Sequence, residues 1–183
     1  MTNVSEAIRS ERLDLQPLQA SHAAEMVAVL DDPRLYEFIG GQPPTFGELA
    51  DRYLRLVEGG SADGREEWRN WIVRTRSDGR AIGTVQATIV DGGRRAMIAW
   101  VIGVPWQGRG FATEAASALV GWLAADGASS IGATIHLSHA ASEAVAQRIG
   151  LEPTDELVDG ERVWLLAQPK RNLDLPAPTD ESR

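Results

Sequence analysis

The run Ala96 to Ile102, AMIAWVI, constrains this chain more than any other segment. It is apolar throughout, carries no proline and is bounded by turn signals, so it reads as a fully buried central strand. It runs into Gly103-Val104-Pro105-Trp106-Gln107-Gly108-Arg109-Gly110-Phe111-Ala112, and then into a helix. Ala116, Leu119, Val120 and Leu123 recur at helical spacing and form that helix's buried stripe.

The rest of the chain arranges itself around this unit. Leu13, Leu15 and Leu18 mark a short first strand ended near Pro17, and Ser21 is placed to cap a helix through Leu30. After Pro43-Pro44, the spacing of Leu49, Tyr53, Leu54 and Val57 predicts a second helix. From Trp71 the period drops to two. Trp71, Val73 and Thr75 form one strand, Asp78-Gly79 a tight hairpin turn, and Val85, Ala87 and Ile89 a half-buried strand. Asp91-Gly92-Gly93 turns the chain into the central strand. Beyond the second glycine loop, Ile131, Ala133, Ile135 and Leu137 alternate as a strand. Ala141, Ala144, Val145 and Ile149 line a short helix that stops at Gly150. Leu157-Val158, Asp159-Gly160 and Val163 to Leu166 make a last hairpin. The order predicts a mixed α/β (α+β) sheet, not a regular βαβ alternation. One domain is expected over residues 1–170, with a mobile tail over the Pro-rich, charged residues 171–183.

Composition narrows the function. The 183 residues contain no cysteine, which removes disulfides, thiolate zinc sites and cysteine nucleophiles. His22, His136 and His139 are the only histidines, and they do not make a metal site, so no metal is expected. The net charge of −8 disfavours general binding to nucleic acid or to anionic membranes. It serves solubility or favours a cationic substrate, and the sequence leaves both open. The polar, charged start MTNVSEAIRSERLDL is not a signal peptide, and no run reaches the roughly 18 apolar residues of a membrane helix, so a cytoplasmic setting is expected.

The loop Gln107 to Glu114 points to an anion. Gly108 and Gly110 let the backbone turn sharply and approach a ligand without a Cβ in the way. The amides at the following helix start carry roughly half a positive charge. Together they make a phosphate cradle. Arg109 either adds a charged contact to the same phosphates or is solvated. Three readings compete. One is a plain strand-to-helix turn. Another is a dinucleotide fingerprint, Gly108-x-Gly110-x-x-Thr113 with Asp126 near the ribose position, but its third glycine is missing and its strand is the fourth in the chain. The third is the pyrophosphate loop of an acetyl-CoA enzyme.

Gln107-x-x-Gly110-x-Ala112 resembles the Gln/Arg-x-x-Gly-x-Gly/Ala motif of the GNAT superfamily of N-acetyltransferases. GRGFATEA (Gly108 to Ala115) is similar to the branch containing the ribosomal-protein alanine acetyltransferases. SERLDLQPL (Ser10 to Leu18) and IHLSHAASEAVAQRIGL (Ile135 to Leu151) resemble that branch's first strand and its later strand–helix unit. The resemblance implies the GNAT fold: one mostly antiparallel sheet of about seven strands with splayed central strands, flanked by about four helices. It implies acetyl-CoA as co-substrate and a small-molecule or peptide amine as acceptor, and it leaves a homodimer open. The backbone from Trp100 through Ile102 to Val104 would pair with the pantetheine arm. Gln107, Gly108, Arg109, Gly110, Phe111, Ala112 and Thr113 would hold the pyrophosphate.

Catalysis is where the sequence departs from the pattern. Related sequences often carry a glutamate base in the central strand, and here that position is Met97, which cannot take a proton. The family's asparagine at the next-to-last helix is His139, which is a base, a hydrogen-bond donor to the cofactor or a helix-capping residue. His136 points to the cleft or to solvent. Ser142 matches a serine of this branch. It lies one step, about 100°, from Ala141 on the helix, in the first turn, where it either reaches the CoA sulfur or is a plain helix-start residue. Glu114 is first of all a helix-dipole partner. Trp68 and Asn70 are candidates for the acceptor pocket, and Trp71 for the core. Without a base, a non-catalytic acyl-CoA binding or sensor domain stands as the alternative.

Overall fold

The structure is a computed structural model that describes residues 6–166, so the expected tail over 171–183 lies outside the described residues. Among these residues eight strands form one sheet: β1 (Ile8–Arg9), β2 (Leu13–Pro17), β3 (Glu67–Thr75), β4 (Ala81–Val90), β5 (Arg95–Ile102), β6 (Ser130–His136), β7 (Leu151–Val158) and β8 (Glu161–Leu166). Their spatial order is β1-β2-β3-β4-β5-β6-β8-β7. Every pairing is antiparallel except β5 with β6. Among the described residues four α-helices accompany the sheet: α1 (Ala23–Val29), α2 (Phe46–Val57), α3 (Phe111–Ala125) and α4 (Ala140–Arg148). This is the mixed α/β class the sequence predicts, with one further short strand, β1.

Alternation along β3 explains the two cores. Trp71 and Val73 join the cluster built with Leu119 and Leu123 of α3. Ile72, between them, joins Met26 of α1 and Leu49 and Tyr53 of α2. Successive strand side chains point to opposite faces, so one strand feeds both layers. α2 is started by a capping box. The Thr45 hydroxyl accepts from the Glu48 amide, and the Glu48 carboxylate accepts from the Thr45 amide at 2.8 Å.

Several local expectations need correcting. Ser21 does not cap α1. It lies in a single 3₁₀ turn, Ala20–His22, closed by the Gln19 amide donating to His22 Nδ1 at 3.1 Å. Pro17 is the last residue of β2 and Leu18 falls outside it. In α2, Leu54 and Val57 are exposed, and the buried stripe runs through Leu49 and Tyr53. Leu137 lies past the end of β6 and is exposed.

The central strands separate. β5 and β6 pair only at Arg95↔Ser130, Ala96↔Ile131 and Met97↔Gly132. Beyond that rung β5 stays with β4 as far as Ile102, while β6 stays with β8 as far as His136. A wedge therefore opens between them. At its vertex a Cβ on Gly132 would stand 2.6 Å from the Trp164 carbonyl and 3.3 Å from Met97 Sδ. Only a residue without a side chain lets the strands meet there. The wedge also corrects the reading of Ala96 to Ile102 as fully buried. Ala96, Ile98 and Ile102 are buried, but Ala99 is exposed and Trp100 and Val101 are partly so. The stretch borders an opening, and its apolar character does not come from complete burial.

Candidate active site

The wedge leads into a cleft of about 1320 Å³. That exceeds the roughly 300–1,000 Å³ of a single small-ligand pocket. Trp100 and Ile102 of β5 line one side. Gln107, Gly108 and Gly110 follow from the loop, and Phe111, Ala112 and Thr113 from the start of α3. His139 and Ser142 close it from α4. Val104 and Arg109 are not among the lining residues. Trp68 and Asn70 are not either: they sit on β3 opposite Thr88 and Gln86, and the Trp68 indole donates to Glu66 Oε2 at 2.9 Å.

The loop has the conformation its glycines anticipate. Gly108 (φ +73°) and Gly110 (φ +79°) both occupy the left-handed region. Gly110 is the N-cap of α3, and the first intrahelical bond runs from the Glu114 amide to the Gly110 carbonyl at 3.0 Å. The amides of Phe111, Ala112 and Thr113 lie in the first turn, where no intrahelical acceptor exists for them. Gln107 has a second job: its Nε2 donates to the Ile102 carbonyl at 2.8 Å, folding the loop back on the end of β5.

Glu114 does more than complement a dipole. Its carboxylate accepts from the Ser10 hydroxyl at 2.7 Å, from the Arg12 amide at 2.7 Å and from Arg12 Nε at 2.6 Å. Burial acts to raise its pKa, but these hydrogen bonds outweigh burial and hold the carboxyl below the usual glutamate value. The residue stays ionised at neutral pH.

Across the cleft, His139 and Ser142 come together. Ser142 Oγ lies 3.4 Å from His139 Nε2. Ser142 shares the inward stripe of α4 with Val145, Ala146 and Ile149, and Ala141 is exposed, so the stripe is turned from the expected one. His139 stands at the N-cap position, but its side chain makes no capping bond. Its ring stacks on Phe38, with centroids 4.5 Å apart and 18° between planes. Burial first, and the charge of His136 second, lower its pKa below the ordinary 6.5. The imidazole is therefore neutral at pH 7 and able to accept a proton. His136 is exposed and outside the cleft lining, its Nδ1 accepting from the Ser138 amide at 3.1 Å. Met97 sits at the vertex of the wedge and supplies no base.

Sequence reasoning missed three contributors to the cleft: Arg12, Arg148 and the stretch around Phe38. Arg12 carried no signal because its partner lies 102 residues away. Phe38 belongs to a non-periodic stretch between a 3₁₀ turn (Pro33–Tyr36) and α2, where hydrophobic spacing says nothing. Among the described residues no group of three His, Asp or Glu side chains converges as a metal site. No described helix is long and apolar enough to cross a membrane.

Comparison with known proteins places this geometry. An acetyltransferase (GNAT) from Bacillus anthracis superposes with a TM-score of 0.70 at 17% identity, over 88% of this chain and 98% of that one. RimL, a ribosomal L7/L12 alpha-N-protein acetyltransferase in complex with coenzyme A, gives a TM-score of 0.72 at 18% identity, over 87% and 96%. AAC(6')-Ib, in complex with ribostamycin and coenzyme A, gives 0.71 at 20% identity, over 85% and 92%. No curated protein matches the chain by sequence. At these identities the superpositions establish the fold alone. The family model described as an acetyltransferase (GNAT) domain matches residues 12–152 of the 183, and the chain belongs to that family.

Proposed function

We propose that this protein moves the acetyl group of acetyl-CoA to a primary amine, on a small molecule or a peptide N-terminus, by direct transfer with both substrates bound. One observation carries the reading: the wedge between β5 and β6 opens beside a glycine-rich helix start and ends at the His139–Ser142 pair. Neighbours of the same fold are known in complex with coenzyme A, one of them also with ribostamycin, which supports the assignment. In this reading the loop amides and the start of α3 take the pyrophosphate, and the free edge of β5 takes the pantetheine arm. Trp68 and Asn70, on β3 and outside the cleft lining, remain candidates only for an acceptor that extends beyond the cleft. The setting proposed is the cytoplasm.

The residues divide the proton chemistry. The neutral His139 imidazole takes the proton of the incoming ammonium. The freed amine attacks the thioester carbon, the C–S bond breaks, and the sulfur leaves with its electron pair. Ser142 donates its hydroxyl proton to that sulfur and regains one from the His139 imidazolium at 3.4 Å. The ammonium gives up two protons in all: one returns to sulfur by way of His139 and Ser142, and the second, lost from the nitrogen once the C–N bond has formed, passes to solvent.

Saturating acetyl-CoA stabilises the fold, by about 2.7 kcal/mol at 100 times Kd, and a thermal melt reads this directly. A thiol-release assay over polyamines, aminoglycosides and peptide N-termini then reads turnover. A melt that moves with NAD and not with acetyl-CoA overturns the reading. Binding without release on any amine assigns a sensor domain instead, the alternative that Met97 keeps open.

The pH profile tests His139. Because its pKa is lowered, the neutral form persists below pH 6.5, so kcat/KM falls only as pH drops through that depressed value. His139→Asn removes the acid limb. An unaltered profile in the variant returns His139 to positioning the cofactor.

A further inference from the structure

Arg12 stands on the turn between β1 and β2, far from the glycine loop in sequence, yet it is built into that loop. Its Nε and backbone amide are both held by Glu114, at 2.6 and 2.7 Å. Its Nη1 donates to the Arg109 carbonyl at 3.1 Å. Its guanidinium lies over the Phe111 ring, 4.7 Å from the centroid. A Cβ on Gly110 would approach Nη2 at 3.4 Å. One planar side chain thus touches, or closely approaches, three successive residues of the loop, Arg109 to Phe111, and it also lines the cleft. Ser10 completes the anchor, its hydroxyl donating to Glu114 at 2.7 Å.

A glycine-rich loop has many conformations to lose, and its amides serve an anion only in one of them. A guanidinium fixed by a carboxylate suits the task of limiting them. Its fork donates in fixed directions, which a lysine ammonium does not reproduce. We propose that Arg12 is a positioning residue of this loop: held by Glu114, it pins the Arg109 carbonyl and packs on Phe111, so that the amides are aimed before a ligand arrives. The proposal rests on the reading that the loop receives the pyrophosphate of acetyl-CoA.

Two donors separate this role from general stability. Acetyl-CoA carries the pyrophosphate, whereas S-acetylpantetheine carries the same thioester and arm without it. Arg12→Met raises KM and Kd for acetyl-CoA about tenfold, as loss of a charge-assisted contact network does, and leaves kcat near native. Its kcat/KM for S-acetylpantetheine stays within twofold of the parent's. Arg12→Lys, which keeps charge and bulk, recovers only part of the loss. Equal damage to both donors, or none to either, overturns the proposal.

Amide exchange on the free protein gives a readout that needs no ligand. Exchange at Glu114 and Ala115, the first hydrogen-bonded amides of α3, quickens in Arg12→Met and less so in Arg12→Lys, while the middle of the helix is unchanged. Unchanged exchange overturns the clasp whatever the donor proves to be. If the parent protein binds no CoA while exchange does respond, it is the reading of the ligand that fails and the clasp that stands.

Discussion

Ser142→Ala lowers kcat about a hundredfold, because removing one donor to a charge that develops in the transition state costs on the order of 3 kcal/mol. The Kd for acetyl-CoA stays within about twofold, since the interaction is made mainly in the transition state. The residue shares the inward stripe of its helix, at the mouth of the wedge, and its Oγ lies 3.4 Å from His139 Nε2. It sits in the first turn of α4, where helix amides favour a nearby thiolate. Steady-state kinetics beside calorimetric titration check both halves. Ser142→Thr keeps the hydroxyl and recovers much of the rate. A near-native kcat in Ser142→Ala would make this serine a helix-start residue only, with the thiolate leaving to water.

Gly110→Val weakens acetyl-CoA binding by about a hundredfold while the protein stays folded, with circular dichroism and titration as the two measurements. At φ +79° a β-branched residue is strained by roughly 1–3 kcal/mol. A Cβ there would also stand in van der Waals contact with the Arg12 guanidinium, 3.4 Å away. The backbone relieves the strain by leaving the left-handed region, which turns the amides of the helix start away from the anion. An unchanged Kd in a folded Gly110→Val protein means that the pyrophosphate loop lies elsewhere.

What the sequence told in advance was mostly local. Strand, glycine loop and helix from Arg95 to Ala125 were legible because two periods and a turn chemistry meet in one segment. Asp78-Gly79 and Asp159-Gly160 announced their hairpins in the same way. His139 and Ser142 were separate candidates, and a spacing of three on a helix start is close enough to bring them together. The wedge was legible only through resemblance, because an apolar run looks the same whether it faces a core or a cleft. Trp100 and Val101 show the difference, being apolar and only partly buried where they line the cleft. The Phe38 stack on His139 had no sequence signal at all, since an irregular loop carries no period.

The anchor of the glycine loop has a consequence for how the molecule comes to be built. Ser10 and Arg12 are separated from Glu114 by 104 and 102 residues. Closing a loop of such length carries an entropy cost, and contacts of this separation slow the folding of a mixed sheet. During synthesis the first strand emerges early and then waits for most of the chain before α3 exists to meet it. The loop and its helix can be made from local contacts, but their final conformation is set only when the two ends of that interval join. On the proposed clasp, the loop is readied for a ligand only once that long-range contact is made.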